Sequence, residues 1–161
     1  MSIKNNKPSS KSGFLQGYYK LNNPAKYIGD PTKIIYRSSW EYRFCKYCDD
    51  SETVIRWSSE PIAIKYISPL DQRQHDYYID FYARIKKDDS EQDYLVEVKP
   101  EASLEKPIME SGSQTMKRLK NYNYALQTWI VNRAKFQAAK KHAELNGHKF
   151  VIVTEKFLFD K

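Results

Sequence analysis

Asp80, Glu97 and Lys99 are the residues whose types and spacing could carry a reaction, and all three fall within YYIDFYARIKKDDSEQDYLVEVKPE, residues 77 to 101. On an extended strand residues two apart face the same way, so Glu97 and Lys99 share a side. A hairpin turning at Asp88 and Asp89 sets Asp80 directly opposite Glu97, with Cβ atoms roughly 4.5–5.5 Å apart. Two carboxylates at that range repel, and one pKa rises unless a cation lies between them. A divalent ion held by one or two carboxylates, with water on its other positions, is the setting in which Mg²⁺ works on phosphate esters. Such an ion acidifies a bound water and neutralises charge on the phosphorane and leaving oxygen. Lys99 would orient or help deprotonate the attacking water and offset the added negative charge. The residues leave one alternative open, because Asp, Glu and Lys also occupy the polar face of an ordinary solvent-facing sheet.

The elements that must position these side chains are legible around them. Alternation over 77 to 85 puts Tyr77, Ile79, Phe81, Ala83 and Ile85 on one face and Tyr78, Asp80, Tyr82 and Arg84 on the other. Residues 86 to 92, KKDDSEQ, read as the hairpin loop, and DYLVEVKP resumes a strand. Upstream, RSSWEYRFCKYCDD spaces Trp40, Phe44 and Tyr47 as a short helix with Ser38 as its N-cap. Glu41 stands three residues after Ser38, which is the spacing of a capping box. A strand is expected over about 62 to 67, with PLDQRQ as a turn. Pro100 and Pro107 bracket a polar loop, after which TMKRLKNYNYALQTWIVNRAKFQAAKKHAELNG is helical, with a break expected near 127 to 131 and a stop at Gly147. A last strand runs from about 149 to 154.

The chain of 161 residues is the size of one domain, and 13 tyrosines, 7 phenylalanines and 3 tryptophans supply a core. Residues 1 to 35 read as an extended arm whose Phe14, Tyr18 and Tyr19 dock on the domain or on a partner, and residues 36 to 161 as the domain itself. Twenty-seven Lys and Arg against 20 Asp and Glu give a net charge of +7, which favours a polyanionic partner. No apolar run approaches the ~20 residues of a membrane span, and Met1 to Lys11 lacks the apolar segment of a signal peptide, so a soluble intracellular protein is expected. Cys45 and Cys48 have no second pair of closely spaced ligands and are expected to be thiols packed against a helix. His75, in a polar turn, is expected to be solvated. Lys117, Arg118, Lys120, Arg133, Lys135, Lys140 and Lys141 cluster in the C-terminal part, a pattern suited to non-specific phosphate contact.

A helix carrying Glu41, a strand, a strand with Asp80, a strand with Glu97-x-Lys99, then a helix and a strand resembles the core of the PD-(D/E)xK nucleases. The stretches SSWEYRFCKYCD, VIRWSSEPIAIKYIS, HDYYIDFYARI and YLVEVKP are similar, in that order, to the branch of TnsA-like transposon-end endonucleases. The resemblance covers roughly residues 36 to 154, and Ile79 stands where the superfamily's name has proline. It implies an α/β, restriction-endonuclease-like core, with a mixed central sheet flanked by helices in α-β-β-β-α-β order. It implies that Asp80 and Glu97 ligate Mg²⁺, with Mn²⁺ able to substitute, that Lys99 positions the nucleophilic water, and that Glu41 supports the metal or its waters. It turns the late helix, with Lys135, Gln137 and Lys140, toward double-stranded DNA. The whole chain is also similar to late proteins of T-even tailed phages that finish a DNA-filled head before tail attachment. That likeness implies action on phage DNA in the host cytoplasm or with the particle, beside portal, neck or head proteins. A nuclease fold kept only as neck or portal scaffold is the other reading.

Overall fold

The computed structural model describes residues 16–109, 111–112 and 115–159. The chain runs β1 (Gly17–Tyr18), a 3-10 turn at Pro24–Lys26, β2 (Ile35–Tyr36), α1 (Ser39–Asp50), β3 (Val54–Ser59), β4 (Ala63–Ile67), β5 (Gln74–Tyr78), β6 (Phe81–Lys87), β7 (Ser90–Val98), a 3-10 turn at Glu101–Ser103, α2 (Met116–Leu145), β8 (Lys149–Val153) and α3 (Glu155–Phe159). The central sheet has the order β3-β6-β7-β8. Its first two pairings are antiparallel and β7 with β8 is parallel, so the sheet is mixed, and α1 and α2 cover its two faces as expected.

The β6–β7 hairpin turns at Asp88 and Asp89 in the expected register, with Lys87 opposite Ser90 and Phe81 opposite Val96. The loop is only these two residues rather than 86 to 92. Asp88 adopts a left-handed φ of 54°, which a short polar side chain tolerates better than a branched one. Along β7 the alternation sends Val96 and Val98 into the core beneath α1 and Leu95 into the core beneath α2.

The expected continuous strand over 77 to 85 is instead two strands, β5 and β6, broken at Ile79 and Asp80. β5 pairs with β4 in a separate two-stranded sheet, so the chain must leave one ladder to join the other. The break also overturns the expected common face. Tyr77 and Ile79 pack beneath α2, whereas Phe81 and Ala83 pack beneath α1. At the bend the Glu60 N–H donates to the Asp80 carbonyl at 2.8 Å, which satisfies backbone that the ladder no longer serves.

α2 is unbroken over its 30 residues, about 45 Å at 1.5 Å per residue. The stretch Gln127 to Val131 lowers helix propensity by only a few tenths of a kcal/mol per residue and contains no Gly or Pro to interrupt the hydrogen bonds. Trp129 pins it further by donating from Nε1 to the Leu104 carbonyl at 3.1 Å. Gly147, at φ 70°, ends the helix where expected.

Residues 16–35 are anchored on the domain. Tyr19 and Ile34 are buried in the core beneath α1 together with Trp57, Phe44 and the free thiols Cys45 and Cys48. Phe14 lies outside the described residues.

Candidate active site

Glu97 is the penultimate residue of β7 and is 3% exposed. Both of its oxygens are held. Tyr77 donates its hydroxyl to Oε2 at 2.5 Å, and the Lys99 ammonium lies 2.8 Å from Oε1. Lys99 is itself fixed because its backbone N–H donates to the Val153 carbonyl at 3.0 Å, just past the end of β7. Tyr77 can reach Glu97 only because of the bend at Ile79 and Asp80, which turns its ring to the α2 side.

The pairing ladder stops at Phe81–Val96, one step short of Asp80 and Glu97. Asp80 nevertheless turns to the end of β7, where Oδ2 accepts the Val98 N–H at 2.8 Å. Burial, and then the nearby negative charge of Glu97, push the Asp80 carboxyl well above the usual carboxylate range, while Lys99 partly opposes the rise. Burial alone would lower the Lys99 pKa, but the Glu97 and Asp80 carboxylates outweigh it and hold the ammonium above its ordinary value. The Tyr77 hydroxyl is pushed up by burial and by Glu97.

Ser38 caps α1 as expected, accepting the Glu41 N–H at 3.1 Å. The reciprocal bond of a capping box shifts by one residue, because Glu41 Oε2 accepts from the Arg37 N–H at 2.8 Å while Oε1 accepts from the Ser38 hydroxyl at 3.1 Å. Glu41 thus commits both oxygens to the start of its own helix. Burial raises its pKa, and these two bonds and the Lys99 charge act in the opposite sense, which places Glu41 within electrostatic range of the lysine.

Sequence reasoning missed three further participants. Tyr77 falls on the apolar face of the alternating pattern, which carries no sign of the bend. Arg37 donates from Nε to Glu60 Oε1 at 2.8 Å, and the two meet only through the fold, 23 positions apart. That bond, followed by the charges of Glu60, Glu41 and Asp80, raises the Arg37 pKa against the effect of burial.

Among the basic candidates, Lys135 borders the site, with Nζ 5.6 Å from the Tyr77 ring centre and 5.8 Å from that of Tyr66. Lys140, Lys141 and Gln137 line a groove of about 750 Å³ between α2 and the β4–β5 hairpin, opposite Lys65 and Gln74. Arg133 stacks on Trp129 at 5.1 Å. Lys117, Arg118 and Lys120 occupy the far end of α2, about 20–30 Å from Lys135 along the axis. His75 sits exposed near the end of the hairpin, 2.8 Å from Asp71.

Among the described residues no group of three or more His, Cys, Asp and Glu side chains is arranged to hold a metal ion. The pair Asp80 and Glu97 still suits a hard cation that retains most of its waters, since two enclosed carboxyl groups meet at the end of β7 with Lys99 as the one ammonium bonded to them among the described residues. Both Glu97 oxygens and Asp80 Oδ2 each keep a second lone pair beyond the contact they now accept.

A mixed sheet between two helices is the fold of the TnsA-like endonucleases, and the chain belongs to that family. The description TnsA-like endonuclease N terminal matches residues 51–155, which takes in Asp80, Glu97 and Lys99 and begins after Glu41. Over 139 residues, 86% of this chain and 90% of the relative, it is 35% identical to the head completion nuclease of Enterobacteria phage T4. No solved structure matches it. Among the described residues no helix is long and apolar enough to cross a membrane.

Proposed function

We propose that the protein is a Mg²⁺-dependent DNA endonuclease that hydrolyses phosphodiester bonds of phage DNA during head completion, before tails are joined. The observation that carries this reading is the convergence of Asp80, Glu97 and Lys99 at the end of β7, with Lys99 bonded to Glu97 and Asp80 turned onto the Val98 N–H. Asp80 and Glu97 would hold the cation, Mg²⁺ or Mn²⁺, which when bound supplies an acidified water and charge neutralisation at the phosphate. Tyr77 fixes one Glu97 oxygen, so the carboxylate keeps its orientation when substrate enters. The Lys99 ammonium, held by Glu97 yet partly exposed at the site, orients the attacking water and meets the negative charge that builds on the phosphate oxygens. Glu41 braces the start of α1 and adds negative potential beside Lys99. The basic residues of α2, above all Lys135 and Lys140, would meet the DNA backbone without reading its sequence.

Supercoiled plasmid incubated with the pure protein tests the reading. Nicked and linear forms should appear with Mg²⁺ or Mn²⁺ and not with EDTA, and Glu97→Ala should lower the rate at least about 100-fold. Intact plasmid under every metal condition, or parent-like cutting by the variant, would leave the fold as scaffold only.

A further inference from the structure

We infer that Arg37 is a phosphate-binding group of this site, donating from Nη2 to a non-bridging oxygen of the DNA backbone. The identity of the ligand rests on the nuclease reading above. Arg37 stands immediately before the cap of α1, and its guanidinium lies within electrostatic range of Asp80 and Glu41. Its Nε is bonded to Glu60, but Nη2 is buried and has no acceptor among the described residues. A guanidinium present only to balance the carboxylates would turn that donor onto one of them, because a buried N–H without a partner is costly. Here the bond to Glu60 fixes the fork while Nη2 stays unpaired.

Glu60 reinforces the case. Its φ of 43° is left-handed, and it precedes Pro61, which disfavours helical backbone at that position. Strained backbone of this kind persists where its surroundings over-determine it, often at functional sites. Glu60 is held from two directions, its N–H donating to the Asp80 carbonyl at 2.8 Å and its carboxylate accepting from Arg37. One residue therefore sets the position of Asp80 and the direction of the guanidinium together. The partner that Nη2 lacks is a hydrogen-bond acceptor, and a phosphate oxygen supplies one to the planar guanidinium fork in a geometry that a lysine in place of Arg37 could not match.

Duplex binding measured by fluorescence anisotropy in EDTA, across a salt series, tests the contact without cleavage. Arg37→Met should reduce the slope of log affinity against log salt by about 0.9, the loss of one phosphate contact. With metal present, kcat/KM should fall about 10- to 100-fold. A fall in rate with an unchanged slope would make Arg37 a counter-charge to Asp80 and Glu41 and overturn the inference, as would parent-like behaviour in both assays. If Arg37→Met does not fold by circular dichroism, Arg37→Lys decides. It keeps a cation for Glu60 but has no second arm, so a fall of about 10-fold in kcat/KM at a parent-like Tm is expected, and parent-like kinetics would sink the contact. If the parent itself cuts nothing, the nuclease reading fails, while the salt slope still reports on Arg37.

Discussion

Asp80 and Glu41 are both held above the ordinary carboxyl range, chiefly by burial. A raised folded-state pKa means that the folded protein holds the proton more tightly than the unfolded chain. The corresponding stability is fully present below the unfolded value, near 3.8 for Asp80, and is lost as pH rises through the folded value. Metal-free protein should therefore lose stability from about pH 4 upward, and Asp80→Asn should remove the largest part of that loss. In EDTA the variant should melt above the parent at neutral pH, by about 2–4 °C for each kcal/mol recovered, and the two should converge toward pH 4. Millimolar Mg²⁺ should raise the Tm of the parent and not of the variant. Melting curves that stay parallel across the range would show that Asp80 is not the strained charge. The candidate residues Glu97 and Lys99 and the neighbourhood of Asp80 could be found from spacing because alternation on β7 and a two-residue turn between acidic residues fix the hairpin register. Tyr77, Arg37 and Glu60 could not, because each arrives from a segment whose direction is set by tertiary packing.

At the scale of elements, the hairpin was readable and its upstream neighbour was not. Turn chemistry at Asp88–Asp89 and alternation on β7 agree with each other, so the β6–β7 register has one solution. Between β5 and β6 the signal vanishes for a physical reason. Both faces of the sheet are covered by helices, so Tyr77, Ile79 and Phe81 are apolar whichever face they meet, and a bend that exchanges faces leaves no polar residue to mark it. α2 misled in the opposite sense, since weak helix formers at 127 to 131 are no break when no Gly or Pro accompanies them. The turn offers a test separable from the chemistry. Asp88→Val places a branched side chain at a φ of 54° and should cost about 1–2 kcal/mol in urea unfolding. Its activity per folded molecule should stay that of the parent, because the turn lies at the opposite end of β7 from Glu97. A loss of activity beyond the unfolded fraction would mean that hairpin strain reaches the acid pair.

Across the whole molecule, one end of the sheet collects the chemistry and separate devices hold the surrounding pieces. Buried Asp49, near the end of α1, accepts the Tyr19 hydroxyl at 3.1 Å and the backbone N–H groups of Asn22 and Asn23 at 2.7 and 2.9 Å, fastening residues 19–23 to α1. On the opposite face α2 carries basic side chains at two places on one rigid rod, Lys135 and Lys140 over the sheet and Lys117, Arg118 and Lys120 near its start. Charge at either place attracts a polyanion, and only the first adjoins Tyr77 and, through it, Glu97. Position should thus divide binding from catalysis. Replacing Lys117, Arg118 and Lys120 together by alanine should weaken DNA binding, lower the salt slope by up to about 3 and raise KM, with kcat within about twofold of the parent. Lys135→Ala should change the slope by no more than about 1 and lower kcat, because the cation beside the Tyr77 ring and the potential over the acid pair go with it. Plasmid cleavage kinetics at two salt concentrations would separate the two effects. Equal losses of kcat from both variants would mean that the DNA lies along the entire helix and that its far end also sets the geometry at Glu97.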